Sequence, residues 1–197
     1  MTERTKKTES VPLVRASWAQ YCVRKLRDHP DRQRVLDAIG SDVRQILREV
    51  GFLGWVPPSV HMTVCDAVLR ELGADALEFW RAYFLETFDM PLLRPLTRGA
   101  LRLYGEDPRG LMRQAPRVYA LVTKHCGELS VEVHGDGLVR VHARGLPPAF
   151  RQSPALMEAL AGTCSACVEL AGHGAAFVTR DFGDLGAGHA SFDVAWG

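Results

Sequence analysis

Two periodicities divide the chain. Up to about residue 126 apolar positions recur at the spacing that stacks side chains on one face of a helix; beyond Gly127 they alternate with polar ones, as in a strand with one buried face. In the first part, Trp18, Tyr21, Cys22 and Leu26 predict a helix from about Val14 to Arg27, interrupted by His29-Pro30-Asp31. SDVRQILREVG predicts another, with Ser41 as its cap, Val43, Ile46, Leu47 and Val50 on one face, and Gly51 at its end. The stretch GFLGWVPPS, 51–59, predicts a loop, because Pro57 and Pro58 cannot both continue a helix. Helical spacing resumes with Val60, Val64, Val68 and Leu69 up to Gly73, and again through ADALEFWRAYFLETF, where Leu77, Trp80, Phe84 and Phe88 form a stripe with Phe79 and Tyr83 beside it. So wide an apolar arc predicts a helix buried on more than one side. Two further blocks, LLRPLTRGALRLYG and PRGLMRQAPRVYALVTKHCG, carry Pro95 and Pro116, which should bend or divide them.

In the second part LSVEV and LVRVH flank HGDG, whose Asp136-Gly137 pair suits a hairpin turn. A helix follows from about Pro154 to Ala171, with Ser153 as cap and Gly172 at its end. AAFVTRDF and HASFDVAW then predict two strands across GDLGAG, with Ala190, Phe192, Val194 and Trp196 facing one way. The expected fold class is therefore α+β: a helical N-terminal part packed on a C-terminal antiparallel sheet ordered strand-strand-helix-strand-strand. The expected division is a disordered tail over 1–12 and a single domain over 13–197, mainly helical over 13–126 and sheet plus helix over 127–197.

Composition narrows the classes. A chain of 197 residues can bury a substantial core without a disulfide or metal staple. With 24 basic against 23 acidic residues it lacks the concentrated basic surface that nucleic acid requires. No stretch approaches a membrane span, and MTERTKKTES lacks the apolar segment of a signal peptide, so a cytoplasmic location is expected. Five cysteines, an odd number, fit reduced thiols better than a disulfide framework.

The CxxC in GTCSACVELAG invites a metal or redox reading. On the helix over 154–171, however, Leu156, Met157, Leu160, Cys164, Cys167, Val168 and Ala171 share an apolar stripe, and both cysteines stand about three turns from the helix start, far from the positive helix end that would acidify a thiol. Cβ atoms three residues apart in mid-helix are about 5–6 Å apart, too far for an unstrained disulfide. The reading is two small apolar residues on a core or pocket wall. Ala159, Gly162, Thr163 and Ala166, on the other face, let another backbone come close. Among the histidines, His61 and His125 lie on helical segments and, with Cys126, are the candidate ligands for haem or zinc. No GxSxG, HExxH or phosphate loop occurs, and no catalytic residue is assigned. Trp80, Tyr83 and Phe84, set opposite Cys164, Cys167 and Val168, are the candidate walls of an apolar ligand pocket.

VYALVTKHCGELSVEV, GLPPAF, EALAGTCSACVELAG and HASFDVAW resemble a family of proteins of similar length known mainly from myxobacteria. More widely, the chain from about residue 40 to 196 is similar to the ligand-binding fold of four-vinyl-reductase-type domains, haem nitric-oxide-binding domains and TRAPP-type subunits. That resemblance implies an apolar pocket between helices and sheet. It departs from the zinc-binding members, which place cysteines near the last two strands where this chain has Asp181, Asp184 and His189, and from the haem domains, whose YxSxR motif is absent. The expected function is a non-enzymatic sensor or signalling module binding a hydrophobic small molecule, with a protein partner or a second copy as listener. The alternatives are a haem or metal protein using His61, His125 or Cys126, and a structural adaptor with a filled core.

Overall fold

The computed structural model describes residues 11–88, 94–104 and 107–197. The expected tail, but for Val11 and Pro12, lies outside the described residues, as do Leu92, Leu93 and Gly105 of the LLRPLTRGALRLYG block. In chain order the elements are β1 (Leu13–Arg15), α1 (Ala16–Lys25), α2 (Arg32–Ile39), α3 (Ser41–Glu49), β2 (Trp55–Val56), α4 (Pro58–Leu72) and α5 (Ala76–Thr87). There follow α6 (Arg94–Tyr104), α7 (Pro108–Met112), α8 (Ala115–Val122), β3 (Thr123–Lys124), β4 (Glu128–Val133), β5 (Leu138–Arg144), α9 (Pro148–Arg151), α10 (Ala155–Leu170), β6 (Phe177–Asp181) and β7 (His189–Ala195). The chain has the α+β fold that its two periodicities imply, with helices packed on a four-stranded antiparallel sheet ordered β4-β5-β7-β6.

That sheet keeps its two faces chemically separate. Val139, Val141, Phe192 and Val194 are buried in the core, whereas Arg140 and Asp193, paired across β5 and β7, form a bidentate ion pair at 2.6 and 2.7 Å on the opposite face. Its first hairpin turns where expected, but the residue in the left-handed region is Gly135 (φ 77°) and not Gly137, so the glycine that the turn requires stands ahead of the Asp-Gly pair.

Local chemistry explains most element ends. Pro58 opens α4 and Pro116 lies in the first turn of α8, positions where a missing N–H costs nothing, so Pro116 starts a helix and thereby divides the predicted block into α7 and α8. Asp107 caps α7 by accepting from the Arg109 amide at 3.0 Å. Ser153 does the same for the first turn of α10, accepting from Ala155 N at 3.1 Å. Ser41, in contrast, does not cap α3: its hydroxyl lies 3.0 Å from Asp42 Oδ1, and Gly40 is the preceding residue in cap position.

A second, three-stranded sheet, β2-β1-β3, was not readable in the periodicity. Val14 pairs with both Val56 and Thr123, so the first residues of the expected first helix are a strand and the expected 51–59 loop contains another. Trp55 on β2 lies under two cations, with Arg15 Cζ 3.8 Å and Lys124 Nζ 4.3 Å from its ring centroid. Helices α2 and α9 also go beyond the expected elements. Among the described residues, no helix is long and apolar enough to cross a membrane.

Candidate functional site

Helix α10 is buried almost all round, and what meets each of its sides defines the site. One side packs on α5. A Cβ built on Gly162 would lie within contact distance of Trp80 Cβ and 3.1 Å from Arg81 N, so hydrogen is the only side chain this crossing accepts. The small-residue face expected from the sequence thus has α5 as its partner at Gly162. Glu158, nearly buried, anchors α10 to the sheet by accepting from Nε and Nη2 of Arg180 on β6, at 2.5 and 2.8 Å.

A third side, carrying Leu160, Thr163, Cys164, Cys167 and Leu170, faces a cavity of about 120 Å³. Tyr83, Phe84, Thr87 and Phe88 of α5 and its C-terminus form one flank, and Ser17, Trp18 and Tyr21 of α1 another. Helix α8 closes the remaining side with Arg117, Val118, Tyr119 and Val122, Leu129 and Val141 come from the sheet, and Phe52 stands at the rim. The cavity therefore joins segments of chain more than a hundred residues apart.

Its polar atoms are mostly committed. The Tyr83 hydroxyl donates to Trp18 O at 2.8 Å and that of Tyr119 to Cys126 O at 2.8 Å. Thr87 Oγ1 donates to Phe84 O at 2.9 Å and Thr163 Oγ1 to Ala159 O at 3.0 Å. These four hydroxyls are satisfied, so the part of the wall that carries them behaves as apolar. Burial pushes the Cys167 thiol up to about 12 and holds Cys164 well above the ordinary thiol range, with Cys167 as a second cause. Both are therefore protonated thiols at neutral pH, neither nucleophiles nor ready metal ligands.

Of the residues singled out from the sequence, Tyr83, Phe84, Cys164 and Cys167 come together in this wall. Trp80 and Val168 are fully buried but do not line it, and Trp80 instead backs Gly162 in the α5–α10 crossing. His61, fully buried on α4, stacks on Trp18 with ring centroids 4.3 Å apart; its Nε2 lies 3.4 Å from Cys65 Sγ, and its Nδ1 has no partner among the described residues. Burial lowers its pKa to about 3, so the ring is neutral. His125 is exposed, in the left-handed region (φ 53°) between β3 and β4. Cys126 is turned to the small sheet, where its thiol meets Leu13 O at 3.3 Å and Lys124 O at 3.2 Å. His61, His125 and Cys126 do not form a common site, and among the described residues no three His, Cys, Asp or Glu side chains converge as metal ligands.

Helix α8 and the start of α1 are the parts of the wall that sequence reasoning misses. The available signal is the apolar spacing of Val118, Tyr119 and Val122, which by itself predicts a helix and no site.

No family model and no curated protein sequence matches the chain. Solved structures of H-NOX domains do. The Fe(II) unliganded H-NOX protein from K. algicida superposes with a TM-score of 0.64 at 11% identity, covering 93% of this chain and 96% of its own. A single-residue mutant of T. tengcongensis H-NOX gives 0.56 at 11% identity, over 92% and 97%. An oxygen-binding H-NOX domain related to soluble guanylate cyclases gives 0.57 at 12% identity, over 92% and 94%. The chain has the H-NOX-like α+β fold, over nearly the full length of both partners.

Proposed function

We propose that this chain is a ligand-binding sensor module that takes a small apolar molecule directly into the cavity between α1, α5, α8 and α10. The observation that carries the reading is the wall itself: mostly apolar side chains, with four of its hydroxyls already satisfied, in a fold whose solved neighbours include an oxygen-binding domain. A cavity of about 120 Å³ is close to the roughly 150 Å³ of an engineered apolar cavity that stays dry and binds benzene.

The fold also raises haem, which structures of the H-NOX family describe. The residues present do not fit it. Among the described residues no histidine lines the cavity; His61 is stacked on Trp18, which does line it, the two cysteines are held protonated, and the hydroxyls of Tyr83 and Tyr119 donate to backbone carbonyls. The volume suits one ring and not a macrocycle of linked rings. We therefore derive no step through iron.

Signalling would follow from population shift. The ligand touches four helices, and one that binds their closed arrangement more tightly than the open one moves the equilibrium by no more than that difference in affinity. The rim residues of α1 and α8 would carry the change to a protein partner or a second copy in the cytoplasm.

Native mass spectrometry of freshly purified protein, with an absorption spectrum of the same sample, tests this. The expected result is a small organic mass, or uptake of added toluene, that is lost in Cys164→Leu, without a Soret band. A Soret band with stoichiometric iron would replace the reading with a haem protein. An apo mass that takes up no apolar probe would replace it with a filled-core adaptor.

A further inference from the structure

Among the described residues, the cavity wall holds one charged side chain. Arg117, exposed on α8, belongs to the lining, and no aspartate, glutamate, lysine or histidine does. Several arginines elsewhere are neutralised, as Arg34 by Glu71, Arg140 by Asp193 and Arg180 by Glu158, and others on the surface, such as Arg48 and Arg144, have no ion pair among the described residues; what sets Arg117 apart is its place on the cavity wall. Arg117 has no hydrogen bond or ion pair among the described residues. It is thus a cation without a counter-charge there, at the edge of an apolar hole.

A second observation points the same way. Ser17 is 5% exposed and lines the same cavity, yet its hydroxyl, unlike those of Tyr83, Thr87, Tyr119 and Thr163, has no partner among the described residues. Its oxygen, unlike Trp18 Nε1 beside it, is not sealed from solvent, so an occupant can reach it. The lining residues therefore hold one cation, Arg117, and uncommitted neutral groups, the hydroxyls of Ser17 and Tyr21 and the buried Nε1 of Trp18, on a wall that is otherwise mostly apolar.

Resting on the reading of the cavity as a ligand site, we propose that its ligand is a small amphipathic monocarboxylate: an apolar body of about six to eight carbons within the walls, and a carboxylate at the mouth on Arg117. Guanidinium and carboxylate match in charge and in fork geometry, and the planar pair gains most where an apolar surface shields one side from water. A neutral hydrocarbon of the same size would leave Arg117 without that partner. A diacid or a phosphate ester would bring a second charge that the rest of the wall cannot neutralise.

The test compares octanoate with 1-octanol, by isothermal titration calorimetry on the full chain, in wild type and in Arg117→Gln. Octanoate should bind wild type about three- to tenfold tighter than octanol, and that advantage should shrink with added salt. Arg117→Gln should remove it while octanol affinity stays the same. Because Arg117 is exposed, the substitution leaves the core untouched, and Arg117→Lys should restore part of the advantage. Equal affinity for the two compounds, unchanged in Arg117→Gln, would overturn the carboxylate assignment and leave the cavity reading standing. Binding of neither compound would overturn both.

Discussion

Helix α10 meets α5 along one side and the cavity along another, and the two contacts differ in what they tolerate. At Gly162 the two helices are so close that an added Cβ would run into the Cβ and backbone of Trp80 and the amide of Arg81. Around Cys164 and Cys167, on a neighbouring stripe, the same pair of helices diverges enough to leave about 120 Å³ between Tyr83, Phe84 and α8. The cysteines are small where the wall recedes, and the glycine is smaller still where it closes. A cavity survives in a folded protein because rigid contacts beside it prevent collapse. The Gly162 crossing is such a contact, and the cavity depends on a residue that does not line it.

Substitutions can separate the two regions. The largest effect should come from Trp80→Ala, which keeps the Cβ at the crossing but removes a fully buried indole; a loss of about 3–5 kcal/mol in denaturant unfolding is expected, with uptake of apolar probes weakened as α5 shifts into the void. Acid comes next, and acts behind the cavity at His61. The folded protein keeps this imidazole neutral down to about pH 3, whereas in the unfolded chain it takes up a proton near 6.5. The unfolded state therefore binds more protons throughout that window, and stability falls as pH drops from 6.5 toward 3, by about 2 kcal/mol at pH 5 from this residue alone. His61→Phe, which keeps the stack on Trp18, should flatten that part of the pH–stability curve; an unchanged curve would mean that the ring is already solvated.

Gly162→Ala should cost about 1–3 kcal/mol by overpacking, although alanine is the better helix former by nearly 1 kcal/mol. A stabilised Gly162→Ala protein would show that the crossing has slack and would weaken the contrast. The smallest effect on stability should be that of Cys164→Leu, within about 1.5 kcal/mol of wild type, because the added methyl groups enter open space. Its effect on binding should be complete, and a variant that still takes up toluene would place the ligand elsewhere.

Much of this was legible in the sequence, and the rest was not for physical reasons. Long periodic segments such as Pro58–Leu72 and Ala76–Thr87 declared themselves, as did the alternation through β4, β5 and β7, because each buries one face along its whole length. Strands of two or three residues leave no period to read: Trp55–Val56 is a strand only because Leu13–Arg15 lies beside it. For the site, Tyr83, Phe84, Cys164 and Cys167 were recoverable, since helical spacing puts each on an apolar stripe. Trp80 belongs to the same stripe as Phe84 and faces Gly162 instead, a distinction that depends on where along α5 the second helix crosses. Ser17 and Arg117 carried no signal at all. An unsatisfied hydroxyl and an unpaired cation acquire meaning only when the surroundings are known.

The central strand of the small sheet has a consequence for the order of biosynthesis. Val14 is paired on one side with Val56 and on the other with Thr123, and the Cys126 thiol donates back to Leu13 across 113 positions. The first described stretch of the chain can thus pair early with Val56, but its other partner, Thr123, is made more than a hundred residues later, and the loop over that span must close before that side is paired. Ser17 and Trp18 follow directly on that strand. One wall of the cavity is therefore completed only after α8 has left the ribosome, and another only after α10 has, so the cavity cannot close in a nascent chain before Leu170 has been made.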